Sequence, residues 1–156
     1  MQKIFAIRPY RLSDEDAAIA LWLRTWQATY PEIDFAARLS WWRERWRKEL
    51  APFADIALAE TSSDASGAAS LIGFVTVDRK TRYLDQLVVA PEHWGAGVGK
   101  ALIAEARRLS PEGLDLDVNI DNDRAIRFYE GCGFVVTGPG KNPISGKPVH
   151  RMSWRP

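Results

Sequence analysis

The 156 residues carry 21 basic and 20 acidic side chains, a net charge of +1, and are 46% apolar, which fits one domain over residues 1–156 with a real core. That balance gives no reason to expect nucleic acid or an anionic membrane as partner. A single cysteine excludes an internal disulfide, no apolar run is long enough for a bilayer, and MQKIFAIRPY is too short and polar for a signal peptide, so the expected location is cytoplasmic.

Ile4 to Arg8 reads as a first strand. Ser13 then offers a cap to a helix whose first turn holds Asp14, Glu15 and Asp16, where acidic groups suit the helix dipole. Ile19, Trp22, Leu23, Trp26 and Tyr30 follow helical spacing, and Pro31 ends the run. A second helix is predicted over Phe35 to Leu50. Phe35, Leu39, Trp42, Trp46 and Leu50 share one face; Arg43, Glu44, Arg45, Arg47 and Lys48 make the other, read as solvated. Asp55 to Glu60 is a short strand, Thr61 to Ser70 a flexible hairpin loop by composition, and Leu71 to Val77 a strand with Gly73 at a bulge. Arg82 to Val89 feeds a glycine-rich turn, and a helix opens on Val98, Leu102, Ala106 and Leu109. Leu114, Leu116 and Val118 alternate as a strand. Asn122 is a good N-cap for a helix carrying Ala125, Ile126, Tyr129 and Cys132 on one side, which stops at Gly131–Gly133. On that buried side Cys132 reads as structural rather than nucleophilic. A strand starts at Phe134, Gly138 to Pro148 is a loop, and Val149 to Trp154 closes the sheet. The alternation argues for α/β with a mixed sheet, antiparallel in its first half.

VVAPEHWGAGVGKAL, Val88 to Leu102, is the most informative stretch. A β-branched run ends at Pro91, Gly95, Gly97 and Gly99 follow, and the helix begins. Bare N–H groups at that helix N-terminus favour phosphate, and glycine permits positive φ and close approach. Lys100 stands where a dinucleotide fingerprint needs glycine or alanine; a P-loop needs Ser or Thr after Gly99-Lys100, and Ala101 is there. Both templates fail, and an ordinary strand–turn–helix connection is the plainer alternative.

The second block, LDVNIDNDRAIRFYEGCGF, spans Leu116 to Phe134. Together the two blocks resemble the GNAT superfamily of acyl-CoA-dependent N-acyltransferases. Val89, Pro91, Gly95, Gly97 and Gly99 match its first motif; Asn122, Ala125, Tyr129, Gly133 and Phe134 match its second, in register. The resemblance implies a mixed, mostly antiparallel sheet of about seven strands flanked by about four helices. It implies acetyl-CoA as cosubstrate, no metal, and transfer of the acetyl group to an amine. The implied cofactor-binding residues are Leu87, Val88, Val89, Trp94, Gly95, Ala96, Gly97, Val98, Gly99, Lys100, Asn119, Asn122, Arg124, Ala125, Phe128 and Tyr129. In the family the pyrophosphate rests on the turn's backbone, and the pantetheine arm pairs with backbone at Val88 and Val89 across a splay between two central strands. One departure stands out: the family places Gln or Arg before the first glycine, and this chain has Trp94.

The chemistry needs a neutral amine. An alkylammonium of pKa ~10 is neutral in about one molecule in 10³ at pH 7, a barrier of roughly 4 kcal/mol. A carboxylate base relieves it. Asp85 is the first candidate, Glu60 the second and Asp78 the third, while Gln86 is placed to orient substrate. By the resemblance, Tyr129 protonates the leaving thiolate. Lys100 is either a phosphate contact or a solvent-facing lysine. Trp22, Trp26, Trp41, Trp42 and Trp46 offer an aromatic wall for a cationic amine, core packing being the plainer reading. Trp41 breaks the face pattern and suits a cleft or a dimer contact. Arg151 is either a carboxylate contact or a surface charge, and His93 and His150 stand alone without metal-ligand spacing. The leading expectation is an acetyltransferase for a small-molecule amine or amino acid. A protein N-terminal or lysine acetyltransferase, a non-catalytic CoA-binding module and a nucleotide binder without CoA are the alternatives; a homodimer through the helices or last strand is compatible with each.

Overall fold

The computed structural model describes residues 5–62 and 69–156. Ile4 of the expected first strand, and residues 63–68 of the expected hairpin loop, lie outside them.

Among the described residues seven strands form one sheet: β1 (Phe5–Pro9), β2 (Asp55–Thr61), β3 (Leu71–Asp78), β4 (Tyr83–Val89), β5 (Leu114–Asn119), β6 (Val135–Lys141) and β7 (Pro148–Trp154). Their order is β1-β2-β3-β4-β5-β7-β6. Every pairing is antiparallel except β4 with β5, which is parallel. The α-helices among the described residues are α1 (Glu15–Thr29), α2 (Leu39–Arg45), α3 (Val98–Leu109) and α4 (Asp123–Gly131). This is the mixed α/β arrangement expected.

The continuous apolar run of β3 explains its place at the centre. Ile72 to Val77 are all buried, so the strand is covered on both faces. Gly73 faces α3, against Leu102 and Val98; the next residue, Phe74, meets Trp46 edge-on at 5.3 Å on the opposite face. There Trp22 and Trp42 stack at 4.6 Å, joining α1 to α2. Such an aromatic pair adds about 0.5–1.5 kcal/mol beyond the area it buries.

Four local expectations are corrected. Ser13 does not cap α1: a short 3-10 turn, Leu12–Asp14, precedes it. Asp14 is drawn instead to Arg8, which donates to both carboxylate oxygens at 2.9 and 2.8 Å, and to the backbone N–H of Arg11. These bonds, the Arg8 one foremost, hold its carboxyl below its ordinary pKa. The second helix is not continuous. It is a 3-10 turn (Ala36–Arg38), α2, and a widened π turn (Trp46–Leu50) closed by Ala51 N–H donating to Trp46 O at 2.8 Å. The bulk of Trp46, wholly buried against Tyr10 and Phe74, sits where the turn widens. Arg45 leaves the solvated face, as described below. Finally, Gly138–Lys141 of the expected late loop pairs with β7. Pro139 is tolerated there because β6 is an edge strand, where a missing N–H need cost no ladder bond.

Gly73 does lie beside a bulge, where the β2–β3 register shifts between Ala59 and Glu60. Its missing side chain lets α3 approach: a Cβ there meets Leu102 Cδ1 and Val88 O, both at 3.0 Å. Gly73→Ala is therefore expected to lose about 1–3 kcal/mol of stability by overpacking, read from urea unfolding at constant m-value.

Candidate functional site

The parallel pair β4–β5 is nearly all gap. One register pair joins them, Tyr83 with Asp115, supported by Asp115 N–H donating to Arg82 O at 2.8 Å. Beyond it the strands part. A bulge on β4 leaves Asp85 without a partner on β3, since Thr76 faces Gln86 and Val77 faces Leu84; a bulge bends its strand and raises its twist. Ala90 N–H donates to Ile72 O and Gln86 N–H to Thr76 Oγ1, both toward β3. Alternation then turns the peptide groups of Leu87 and Val89 into the gap, and those of Val88 toward β3. Leu87 and Val89, rather than the expected Val88 and Val89, are therefore the residues whose peptide groups face the gap.

The glycine turn closes the wide end of the gap. Gly95 (φ 81°) and Gly97 (φ 87°) need the left-handed region, and Gly97 is the N-cap of α3. Ala101 N–H makes the first helical bond, to Gly97 O, so the N–H groups of Val98, Gly99 and Lys100 have no intrahelical acceptor. Ala96 N–H already donates to His93 O, and Val98 has its side chain in the core. Gly99 is required for space: a Cβ there sits 2.9 Å from Phe128 Cζ.

Gap, turn and helices enclose a cavity of about 620 Å³. Leu87, Val88, Val89, Trp94, Gly95, Gly97, Gly99, Lys100, Asn119, Asn122, Arg124, Ala125, Phe128, Tyr129 and Asp85 all line it; Ala96 and Val98 do not. Asn122 caps α4 by accepting from Ala125 N–H at 3.3 Å. Tyr129 is buried edge-on between Phe128 and Phe134, and its hydroxyl makes no hydrogen bond among the described residues. Desolvation raises its pKa, so the phenol keeps its proton. Cys132 is half-buried, its thiol pKa raised by burial, and it is absent from the cavity wall.

Of the three candidate bases only Asp85 reaches the cavity. Arg45 Nη1 and Nη2 donate to its two oxygens at 2.8 and 2.6 Å, and Gln86 Nε2 donates to Oδ2 at 3.1 Å. Arg45 in turn lies over the Trp42 ring at 5.4 Å. Glu60 is paired with Arg8, and Asp78 accepts from Lys80 and Thr81 N–H in a turn. Trp22, Trp26, Trp41 and Trp42 border the cavity between α1 and α2, but Trp22, Trp42 and Trp46 are core residues, as the plainer reading had it, so Trp26 and Trp41 give the wall most of its accessible aromatic surface. Trp41 is 40% exposed, as its break from the face pattern suggested. His93 lines the cavity; His150 and Arg151 do not, and Arg151 pairs with Asp117 at 3.2 Å. Missed residues include Arg38, Arg45, Tyr30 and Lys147. Tyr30 OH donates to Asp121 at 2.8 Å and accepts from Asn119, and its pKa is pushed up to about 12, mainly by burial. Lys147, from the late loop, lies 4.8 Å over the Tyr30 ring. Among the described residues no cluster of His, Cys, Asp and Glu could hold a metal, and no helix is long and apolar enough to cross a membrane.

A strand gap ending in a phosphate-type turn fits a cofactor with an extended amide arm and a phosphate end. The model of the acetyltransferase (GNAT) family matches residues 16–134. The chain belongs to the GNAT family. Among its relatives is the peptidyl-lysine N-acetyltransferase YjaB of Salmonella typhimurium, 32% identical over 142 residues and 91% of each chain. YjaB of Escherichia coli is 29% identical over 93% of this chain and 92% of its own. The solution structure of apo-form YjaB from Escherichia coli superimposes with a TM-score of 0.74, at 25% identity over 97% of this chain and 98% of that one. PaiA N-acetyltransferase from Thermoplasma acidophilum, solved in complex with coenzyme A, shares the fold with a TM-score of 0.71, at 21% identity over 97% of this chain and 99% of its own. As a GNAT acetyltransferase, the protein uses acetyl-CoA as cosubstrate.

The two kinds of glycine separate by rescue. Gly97→Ala and Gly99→Ala are both expected to lower thermal stability, by about 1–2 kcal/mol for the left-handed Gly97. Adding Phe128→Leu restores part of the Gly99→Ala loss and none of the Gly97→Ala loss, a double-mutant cycle that distinguishes crowding from backbone strain.

Proposed function

We propose that this acetyltransferase modifies the ε-amine of a lysine side chain on a peptide. The observation that carries the reading is the aromatic cleft of Trp22, Trp26, Trp41 and Trp42 leading to Gln86 and Tyr129. It suits an aliphatic chain ending in a cation. The names of the YjaB relatives support it. This is the alternative expectation rather than the leading one. A free small amine is the second reading, favoured by the contact of Lys147 with Tyr30, which draws the late loop toward the cavity. A spermidine N(1)-acetyltransferase of Vibrio cholerae is 35% identical over 77 residues, 46% of this chain and 43% of its own.

In this mechanism the pantetheine arm adds to β4 through Leu87 and Val89, and the pyrophosphate meets the N–H groups of Val98 to Lys100. The neutral amine attacks the thioester carbonyl, the C–N bond forms and the C–S bond breaks. Tyr129 gives its phenolic proton to the thiolate and regains one from solvent, to which the amine's surplus proton is released. Asp85, held by Arg45 and Gln86, acts as a positioning residue that fixes the Gln86 amide beside the amine rather than as the base.

A panel of lysine peptides, the same peptides with lysine replaced by arginine, spermidine and free amino acids tests the substrate. Lysine peptides should be acetylated with the highest kcat/KM; a higher value for spermidine contradicts the reading. Without a carboxylate base, kcat/KM should rise tenfold per pH unit from 7 to 9, following the neutral amine fraction below its pKa near ~10.4. A kcat/KM that stays flat from pH 7 to 9 instead restores Asp85 as base. Tyr129→Phe should lower kcat by about 10²–10⁴ with little change in the KM for acetyl-CoA.

A further inference from the structure

Trp94 stands where the first motif leads one to expect a Gln or Arg side chain, and the structure gives it two contacts. Its indole Nε1 donates to Val89 O at 2.8 Å, one of the two β4 carbonyls facing the gap. Its ring face carries the Arg124 guanidinium, with Cζ 3.6 Å from the ring centroid. Arg124 comes from the first turn of α4 and lines the cavity beside the glycine turn. It forms no ion pair among the described residues, and desolvation lowers its pKa. Arg124 is exposed at the opening, yet the indole holds its guanidinium on the wall that also carries Gly97, Gly99 and Lys100, where it faces a ligand's negative charge.

We propose that Trp94 and Arg124 form one stacked unit in which the indole positions the guanidinium as the cation for a cofactor phosphate. The motif's side-chain charge has in effect moved from the turn to α4, with the indole as its platform. The same indole closes Val89 C=O to the cofactor arm, which leaves Val89 N–H and the peptide groups of Leu87 for pairing. The proposal rests on the cofactor placement given under the proposed function.

The test is equilibrium binding of CoA, dephospho-CoA and pantetheine, the last by competition, to the wild type and to Arg124→Gln, Trp94→Phe and Trp94→Leu. The wild type must bind CoA; if it does not, the cofactor placement fails first and this unit with it. Arg124→Gln should weaken CoA by about 10- to 100-fold, as for a lost charged hydrogen bond, and pantetheine by less than threefold. A merely structural role weakens both alike and overturns the proposal. An equal loss for dephospho-CoA assigns Arg124 to the pyrophosphate; no loss there assigns it to the 3′-phosphate. Trp94→Leu should reproduce most of the Arg124→Gln effect and add little in the double variant, while Trp94→Phe, which keeps the ring face, falls between. Unchanged CoA affinity in Arg124→Gln, or in Trp94→Leu, contradicts the proposal.

Discussion

The parting of β4 from β5 after a single register pair is the constraint on which the site depends. A sheet closed along its length would satisfy the peptide groups of Leu87 and Val89 internally and leave no slot. Here the bulge at Asp85 bends β4 away, while β5 is held by β7 over six register pairs, from Leu114 with Trp154 to Asn119 with Val149. Exposed strand edges invite pairing with any extended amide chain. In this fold the edge is internal and lines the cavity.

Two kinds of charge occupy the cavity and do different work. Asp85 is neutralised by Arg45 in a two-point pair with side chains 17% and 20% exposed. Removing one partner would leave the other half-desolvated, which costs more than the pair itself contributes. Arg124 and Lys100 have no such partners among the described residues and line the cofactor side. With amine and cofactor placed as proposed, the compensated charge lies beside the reacting amine and the uncompensated positive charge beside the phosphates.

Much of this was legible because local chemistry dictated it. Gly95 and Gly97 announce positive φ, Asn122 announces a helix cap, and the two motifs stand in register. The alternation of strands and helices gave the mixed sheet. What escaped was set by distant contacts. Arg45 looks like any cation on a solvated helix face until β4 brings Asp85 to it, 40 residues away in sequence. Tyr30 reads as the end of an amphipathic helix, and only the fold brings Asn119, Asp121 and Lys147 to it. Pro139 reads as a loop residue because nothing local reveals that its strand is an edge. Trp94 reads as a lost side chain, since its partners Val89 O and Arg124 come together only when strand, turn and α4 converge.

The central claim is that the cofactor arm joins β4 as an added strand on the side where Leu87 and Val89 present their peptide groups. Residue-resolved amide hydrogen exchange with and without CoA tests it most directly. The account predicts that CoA slows exchange at Leu87 and Val89 and leaves Val88, already bonded to β3, unchanged. Equal protection of all three, or none at Leu87 and Val89 while CoA is bound, would contradict it.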